Sequence, residues 1–196
     1  MLVLASASPR RQELLRNAGI AFTVRPANIN ESPLAGESPR DCAERLARGK
    51  AVSVSQSRPQ DYVLGADTIV VIGEAILGKP CDTDDAALML RMLSGRTHEV
   101  ITGVCVVGPV ASGQPSVASS GNALTASETT LVTFGELSDE EIRDYVATGE
   151  PMDKAGAYAI QGIASRWIPR IEGDYSNVVG LPVALVYRML RARGAL

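Results

Sequence analysis

Histidine and cysteine are scarce in this chain of 196 residues. Because His98 is the only histidine, histidine-rich zinc sites are excluded, and a Ser-His-Asp triad would need that one residue. His98 lies in an alternating, strand-like stretch, so we interpret it as structural. The three cysteines are widely spaced and form no C-x-x-C pair, which indicates neither a disulfide framework nor a zinc knuckle.

Net charge, aromatic residues and long hydrophobic runs are also limited. A formal net charge of −3 gives no global reason to bind DNA, RNA or an anionic membrane, and 4% aromatic residues offer few stacking platforms for nucleic acids. The N-terminus lacks the basic region of a secretory signal, and the most apolar late stretch, residues 178–187, is about half a membrane span. We therefore expect a cytoplasmic protein with no nucleic-acid partner and no membrane association.

The pattern of the chain predicts one α/β domain over residues 1–196, since 45% hydrophobic residues suffice for a substantial core. Predicted strands alternate with predicted helices, which is typical of helices packed around a mixed sheet. We expect strands at residues 2–5, 21–25, 62–72, 97–107 and 127–134, and helices starting at 9 and 39 and spanning 83–93, 138–147 and 182–193. Thr83-Asp84-Asp85 should cap the third helix, and residues 108–123, rich in Gly, Pro, Ser and Ala, should form a mobile hairpin loop.

The first candidate site is Ser6-Ala7-Ser8-Pro9-Arg10-Arg11, between the first strand and the first helix. A helix N-terminus presents unpaired N–H groups and a partial positive charge, so it can bind an anion. The hydroxyls of Ser6 and Ser8 and the guanidiniums of Arg10 and Arg11 would add donors for a phosphate. The same residues are also compatible with an ordinary Ser-Pro helix start followed by surface arginines.

Asp67 is the second candidate, because it interrupts the almost wholly apolar strand predicted at residues 62–72. A carboxylate there is costly to desolvate unless it meets a metal, a hydrogen bond or a cleft. Backbone donors at a sheet edge could satisfy it structurally. We favour a functional role, because such a strand has little other use for an ionised group.

Four further residues are weaker candidates when each is taken alone. Lys79, in the turn Gly78-Lys79-Pro80, and Lys50, late in the second helix, suit phosphate oxygens, although most loop lysines are merely solvated. Gln161 carries a donor and an acceptor that could read the edge of a base, in a stretch rich in small residues. Glu31 is an ordinary loop acid when read alone.

A set of motifs runs in order through nearly the whole chain. They are Ser6-Ala7-Ser8-Pro9-Arg10-Arg11, Gly65-Ala66-Asp67-Thr68, Gly78-Lys79-Pro80, Leu93-Ser94-Gly95-Arg96-Thr97-His98, Asp153-Lys154-Ala155-Gly156-Ala157-Tyr158, Gln161-Gly162 and Ser176-Asn177-Val178-Val179-Gly180-Leu181-Pro182. Together they resemble the Maf family of nucleoside triphosphate pyrophosphatases, within the ITPase-like superfamily. The resemblance implies a two-lobed α/β fold, in which a mixed sheet flanked by helices forms the floor of a nucleotide cleft, and it is compatible with a homodimer.

The resemblance also implies roles for individual residues. Asp67 takes the position of the proton acceptor. The positions linked to substrate specificity are Arg11, Thr68 and Gln161. The residues that line the phosphate and metal region are Ser6, Arg10, Glu31, Lys50 and Lys79. The version Asp153-Lys154-Ala155-Gly156, with Gln161 following, resembles the branch that acts on dTTP and UTP.

From this resemblance we expect a nucleoside triphosphate to be cleaved to the monophosphate and pyrophosphate. A divalent cation, Mg²⁺ or Mn²⁺, would be held by Asp67, Glu31 and substrate oxygens, since such cations prefer oxygen ligands. The alternatives are a 7-methyl-GTP pyrophosphatase, a nucleotide-binding regulator of cell division with little catalysis, and a nucleic-acid-binding module of the related anticodon-binding fold. The acidic balance disfavours the last. Residues 108–123 depart from the family pattern and are expected to be a surface insertion that leaves the site intact.

Overall fold

The computed structural model of the chain describes residues 1–109 and 122–196. The strands in these ranges are β1 (Leu2–Leu4), β2 (Thr23–Val24), β3 (Tyr62–Ile72), β4 (Ala75–Leu77), β5 (Thr97–Val107), β6 (Ala123–Thr133) and β7 (Arg170–Glu172). The α-helices are α1 (Pro9–Asn17), α2 (Pro39–Ser55), α3 (Thr83–Leu93), α4 (Asp139–Ala147), α5 (Tyr175–Val179) and α6 (Val183–Ala192). Short 3₁₀ helices cover Glu150–Asp153, Ala155–Ala157 and Ile163–Trp167.

The strands form one mixed sheet with the order β2-β1-β3-β5-β6-β7, and β4 pairs with β3 outside this path. β1 runs parallel to both β2 and β3, with Leu2 opposite Tyr62 and Leu4 opposite Leu64. β4 is antiparallel to β3, and β7 is antiparallel to β6. This combination of parallel and antiparallel pairs confirms the predicted α/β fold with a mixed sheet flanked by helices.

The chain divides into two compact units, each assembled from separate segments. The first unit comprises Met1–Asp67, Thr102–Glu128 and Gly180–Leu196, and the second comprises Thr68–Ile101 and Thr129–Val179. The boundaries fall within β3, β5 and β6, so these strands contribute residues to both units. Two units agree with the predicted two lobes, whereas the predicted single domain over residues 1–196 and its nucleotide cleft stay predictions.

In the first unit, alternate residues of the strands face different helices, as strand geometry requires. Leu4 and Leu64 lie in a buried cluster with residues of α1 and α6, whereas Val3 and Val63 lie in a second cluster with residues of α2. Since Asp67 has the same parity as Val63 along β3, it belongs to the face that α2 covers. The strand therefore orients the candidate acid towards a helix.

α2 lies unusually close to the sheet because two strand residues beneath it are glycines. A Cβ added at Gly65 of β3 would come within 2.2 Å of the Ala47 carbonyl oxygen, and one at Gly103 of β5 within 2.2 Å of the Ala43 carbonyl oxygen. No side chain other than hydrogen fits at such backbone contacts. The close approach positions the side chains that α2 directs at β3.

The second unit contains a buried aromatic cluster formed by His98, Phe134 and Tyr158. The ring centroids of Phe134 and Tyr158 are 4.9 Å apart, and His98 Nε2 lies 2.9 Å from the Tyr158 hydroxyl. His98 is 2% exposed, and burial lowers its pKa to about 4. A neutral, buried, hydrogen-bonded ring agrees with the structural interpretation of this histidine.

Several local expectations need correction. Asp82, and not Thr83, is the N-cap of α3, since the Asp82 carboxylate accepts the Asp85 N–H at 2.8 Å and Thr83 is already helical. β6 begins at Ala123, earlier than the predicted strand at 127–134, because small and polar residues hid its start. The predicted loop at 108–123 falls mainly on residues 110–121, which lie outside the described residues.

The sequence predicts neither disulfides nor membrane-spanning helices, and the described ranges bear on both. Cys42, Cys81 and Cys105 are all free thiols, as expected without a disulfide framework. No helix within residues 1–109 or 122–196 has the length and apolar character needed to cross a bilayer.

Candidate active site

The start of α1 is held against β3 by the Arg11 guanidinium. Its Nη1 donates to the Ala66 carbonyl oxygen at 2.9 Å and to Ser6 Oγ at 3.2 Å, and its Nε donates to the Gly180 carbonyl oxygen at 2.8 Å. Burial lowers the pKa of Arg11, and the Asp67 carboxylate acts in the opposite direction. Arg11 thus ties the first candidate motif to the residue that precedes Asp67.

Ser8 occupies the predicted cap position but makes no capping hydrogen bond with its side chain. Its backbone N–H instead donates to Ser6 Oγ at 3.2 Å. The ordinary Ser-Pro cap is therefore absent, and the first turn of α1 keeps N–H groups that the Ser8 hydroxyl does not satisfy. Arg10 follows in that turn, and its charge further lowers the pKa of Arg11.

Lys50 brings the two candidate carboxylates of the first unit together. Its Nζ lies 2.6 Å from Asp67 Oδ1 and 2.7 Å from Glu31 Oε1. Lys50 is 8% exposed and Asp67 is 7% exposed, so their charges are paired largely away from water. An isolated carboxylate at this depth would be strongly destabilising, and the ion pair explains how β3 tolerates Asp67.

The register of α2 explains why Lys50 reaches Asp67. A Cβ at Gly65 would contact the backbone at Ala47 and Ala51, so the turn that contains Lys50 lies directly over this part of β3. Gly65 and Asp67 are two residues apart and share one face of the strand. The motif Gly65-Ala66-Asp67 therefore combines a site of close helix approach with the acid that the helix neutralises.

The loop that carries Glu31 is held by residues that sequence reasoning missed. Arg45 of α2 donates to both carboxylate oxygens of Glu37, at 2.5 and 2.7 Å, and to the Ser32 carbonyl oxygen at 3.1 Å. The hydrogen bonds from Arg45 to the Glu37 carboxylate lower its pKa to about 2. The sequence gives no local signal for this contact, because an acid and an arginine eight positions apart do not form a recognisable helical pair.

In the second unit, two predicted motifs contact each other. The Gly156 N–H donates to the Gly78 carbonyl oxygen at 3.0 Å, so the loop that follows Asp153-Lys154 lies beside the turn that carries the exposed Lys79. Gly156 has a φ of +69°, and a Cβ there would come within 3.0 Å of Val70. Ala157 follows with a φ of +59°, which is strained for a residue other than glycine.

The remaining specificity candidates also belong to the second unit. Thr68 follows Asp67 in β3 and is partly buried, and Gln161 is exposed in the turn that follows Tyr158. The structure therefore gathers Ser6, Arg11, Glu31, Lys50 and Asp67 in the first unit, beside Ser8 and Arg10, and it places Thr68, Lys79 and Gln161 in the second. Their predicted roles stay predictions.

The carboxylates of Glu31 and Asp67 are suited to a divalent cation. Both oxygens that contact Lys50 converge on one positive charge, which is the arrangement that a cation also requires. Within the described ranges, no three or more His, Cys, Asp and Glu side chains gather into a metal-binding set. Two carboxylates whose coordination is completed by substrate phosphates are the usual Mg²⁺ arrangement, so the donors fit that kind of site.

Chemically, this part of the first unit combines an acid with several cations. Asp67 can accept a proton, whereas Lys50, Arg10 and the first turn of α1 can stabilise negative charge. That combination suits the transfer of a phosphoryl or nucleotidyl group, in which charge develops on phosphate oxygens.

The sequence of this chain is similar to known proteins over nearly its whole length. The family model described as "Maf-like protein" matches residues 1–193. The dTTP/UTP pyrophosphatase of Koribacter versatilis (strain Ellin345) is 58% identical over 195 residues, covering 100% of this chain and 95% of the relative. That of Geobacter sp. (strain M21) is 53% identical over 195 residues, covering 100% and 96%. The solved structure of a HAM1 protein from Coxiella burnetii matches at a TM-score of 0.41 with 18% identity, covering 68% of this chain and 72% of that chain.

Proposed function

Because the chain belongs to the family of Maf-like proteins, we propose that it hydrolyses dTTP and UTP to the nucleoside monophosphate and pyrophosphate. Relatives with more than half of their residues identical over the full chain carry the name dTTP/UTP pyrophosphatase. The structural observation that supports the proposal most directly is the buried Asp67 carboxylate, held 2.6 Å from Lys50 Nζ beside the Arg11-bound start of α1.

In the proposed reaction, a water molecule attacks the α-phosphorus and the bond to the bridging α–β oxygen breaks. Asp67 orients this water and accepts its proton. Lys50 orients the Asp67 carboxylate, because its ammonium donates a charge-assisted hydrogen bond to Oδ1. Arg11 fixes the backbone on the N-terminal side of Asp67 through the Ala66 carbonyl. The acid is therefore positioned before substrate binds.

Pyrophosphate leaves with additional negative charge, which cationic groups must stabilise. We assign this task to Arg10, Lys50 and the N–H groups of the first turn of α1, with Ser6 and Ser8 as further donors to phosphate oxygens. A divalent cation, Mg²⁺ or Mn²⁺, held by Asp67 and Glu31, would polarise the α-phosphate as a Lewis acid.

Thr68, Lys79 and Gln161 enter the proposal through the family resemblance. Lys79 is assigned to the phosphates, and Thr68, Gln161 and Arg11 are assigned to the choice of nucleotide. A cytoplasmic location and a homodimer are likewise part of the proposal, the former supported by the free thiols of the described residues.

The proposal is tested with a panel of triphosphates in the presence of Mg²⁺ or Mn²⁺ and after addition of EDTA. We expect pyrophosphate release from dTTP and UTP that exceeds release from 7-methyl-GTP and purine triphosphates and that EDTA abolishes. Preferential cleavage of 7-methyl-GTP would instead identify the chain as a 7-methyl-GTP pyrophosphatase. Nucleotide binding without turnover would instead favour a regulator.

Asp67→Asn tests the catalytic assignment with the least change in shape. We expect kcat to fall by about 10²- to 10⁴-fold, because an amide cannot accept the proton from water. Asp144→Asn, which changes an exposed aspartate of α4, is the matched control and should keep wild-type turnover. Unchanged pyrophosphate release by Asp67→Asn would remove Asp67 from the chemistry.

A further inference from the structure

Glu150 contacts both sides of the turn that carries Gln161, although nothing in the sequence singled it out. Its carboxylate accepts the Ile163 N–H at 3.1 Å through Oε1 and at 3.3 Å through Oε2. Oε1 also accepts the Tyr145 hydroxyl at 2.9 Å, and the Tyr145 oxygen in turn accepts the Ala159 N–H at 3.3 Å. Two backbone amides that flank Gln161 are thus bound by one pair of side chains.

Gly162 leaves the space that the Glu150 carboxylate occupies. A Cβ at Gly162 would lie 2.2 Å from Glu150 Oε1 and 2.5 Å from Cδ. Because these atoms are the end of a flexible side chain, a methyl group at this position would displace the carboxylate rather than the backbone. Glycine is therefore needed at position 162 of the Gln161-Gly162 motif, because a side chain there would prevent the Glu150 carboxylate from reaching the turn.

Glu150 and Tyr145, the two residues that bind the turn, are themselves held by further contacts. Lys154 Nζ donates to the Glu150 carbonyl oxygen at 2.7 Å and forms an ion pair with Asp153. Tyr145 is buried in α4 and packs edge-on against Trp167, with ring centroids 5.4 Å apart. Glu150 and Tyr145 are therefore each held by further contacts, whereas Gln161 is exposed.

We propose that Glu150, with Tyr145, is a positioning residue for base recognition, which holds the turn of residues 159–163 so that the Gln161 amide can read a pyrimidine base. This inference rests on the proposed function. The uracil and thymine edge offers a carbonyl acceptor beside an N–H donor, which complements one orientation of a side-chain amide. Cytosine reverses these groups, so discrimination between UTP and CTP reports how well the amide is placed.

The test compares kcat and KM for UTP and CTP in the wild-type protein and in four variants. Glu150→Ala should raise KM for UTP and lower the UTP to CTP ratio of kcat/KM about tenfold, while kcat for CTP changes little. Gly162→Ala should reproduce this change, because it displaces the carboxylate without removing it. Glu150→Gln should restore the ratio, since its amide can accept the Ile163 N–H and donate to Tyr145. Glu140→Ala, an exposed acid of α4, is the matched control.

A double variant separates positioning from a general loss of structure. If Glu150 acts through Gln161, Glu150→Ala combined with Gln161→Ala should discriminate no worse than Gln161→Ala alone. Backbone amide hydrogen exchange supplies a second readout, in which residues 159–163 should exchange faster in Glu150→Ala and Gly162→Ala than in Glu150→Gln. Additive losses, an unchanged UTP to CTP ratio or unchanged exchange would overturn the inference. Absence of UTP and dTTP hydrolysis in the wild-type protein would overturn the proposed function instead.

Discussion

The Lys50 ammonium is almost fully buried, and both of its ion-pair partners are carboxylates of the candidate site. Asp67 is equally buried, whereas the Glu31 side chain is 54% exposed and retains much of its hydration. Removal of the lysine would therefore affect Asp67 far more than Glu31. Asp67 depends on the Lys50 ammonium to compensate its charge, whereas the charge of Glu31 is also stabilised by water.

Lys50→Met should destabilise the fold by about 3 kcal/mol or more, because Asp67 would remain as an unpaired buried charge. Urea unfolding followed by circular dichroism measures this loss. The double variant Lys50→Met with Asp67→Asn should recover part of the stability, since the orphaned charge is gone. Lys79→Met, a change at an exposed lysine, serves as the control and should be near neutral. Simple additivity of the Lys50 and Asp67 changes would contradict a direct pair.

The buried His98 side chain should make the free energy of unfolding depend on pH. Burial lowers its pKa from 6.5 to about 4, so between these values the unfolded chain binds a proton that the folded chain does not. The contribution to the free energy of unfolding is therefore complete above pH 6.5, and it falls by about 1.4 kcal/mol per unit as the pH drops towards 4.

His98→Gln removes this titration while it keeps a polar side chain. Between pH 7 and pH 5, the wild-type free energy of unfolding should fall by about 2 kcal/mol more than that of the variant. The comparison cancels the titration of carboxylates, which both proteins share. Parallel pH profiles would show that His98 does not carry this dependence.

At the scale of elements, α2 is the helix that assembles the first-unit site. It contributes Lys50 to the carboxylate pair and Arg45 to the loop that follows Glu31, and it sits on Gly65 and Gly103. The distance of this helix from the sheet therefore controls the geometry of the Lys50 contacts.

Gly65→Ala should separate α2 from β3 and cost about 2 kcal/mol or more, since the new methyl group would meet the Ala47 carbonyl oxygen at 2.2 Å. We expect loss of activity along with stability, because Lys50 moves with the helix. Gly135→Ala is the matched control, since its Cβ would meet the Trp167 carbonyl oxygen at an ordinary 3.6 Å. Equal unfolding free energies for the two variants would refute the close-packing argument.

Elements with strong local signals could be predicted, whereas elements defined by distant contacts could not. The helix predicted at residues 138–147 is present as α4, which begins with a capping box of Ser138 and Glu141, and α1 starts at Pro9 as expected. β7 and α5 were missed within residues 149–180, because each has five residues or fewer and depends on partners elsewhere. β7, for example, exists through its pairing with β6.

At the scale of the whole molecule, the net charge of −3 conceals a local excess of cations. The candidate residues of the first unit include three cations, Arg10, Arg11 and Lys50, and two carboxylates, Glu31 and Asp67. A site for an anionic substrate is therefore compatible with an acidic protein.

The proposed metal should act on turnover and not on folding. EDTA should abolish pyrophosphate release, and excess Mg²⁺ or Mn²⁺ should restore it. The melting temperature without nucleotide should change little in either condition, because Lys50 already forms an ion pair with each of the two carboxylates. Differential scanning calorimetry and a pyrophosphate assay on the same samples check both parts. A large loss of melting temperature on chelation would instead indicate a structural metal.

The sequence by itself determined the α/β alternation and the start of α1 at Pro9, because these follow from periodicity and local backbone preferences. It also singled out Asp67, since a charge within an apolar strand is conspicuous on its own. Only the tertiary structure decided that Lys50 is the partner of Asp67, that Arg11 is bonded to Ala66 and Gly180, and that Glu150 supports the Gln161 turn. These contacts join residues far apart in the chain, whose proximity depends on how helices pack on the sheet.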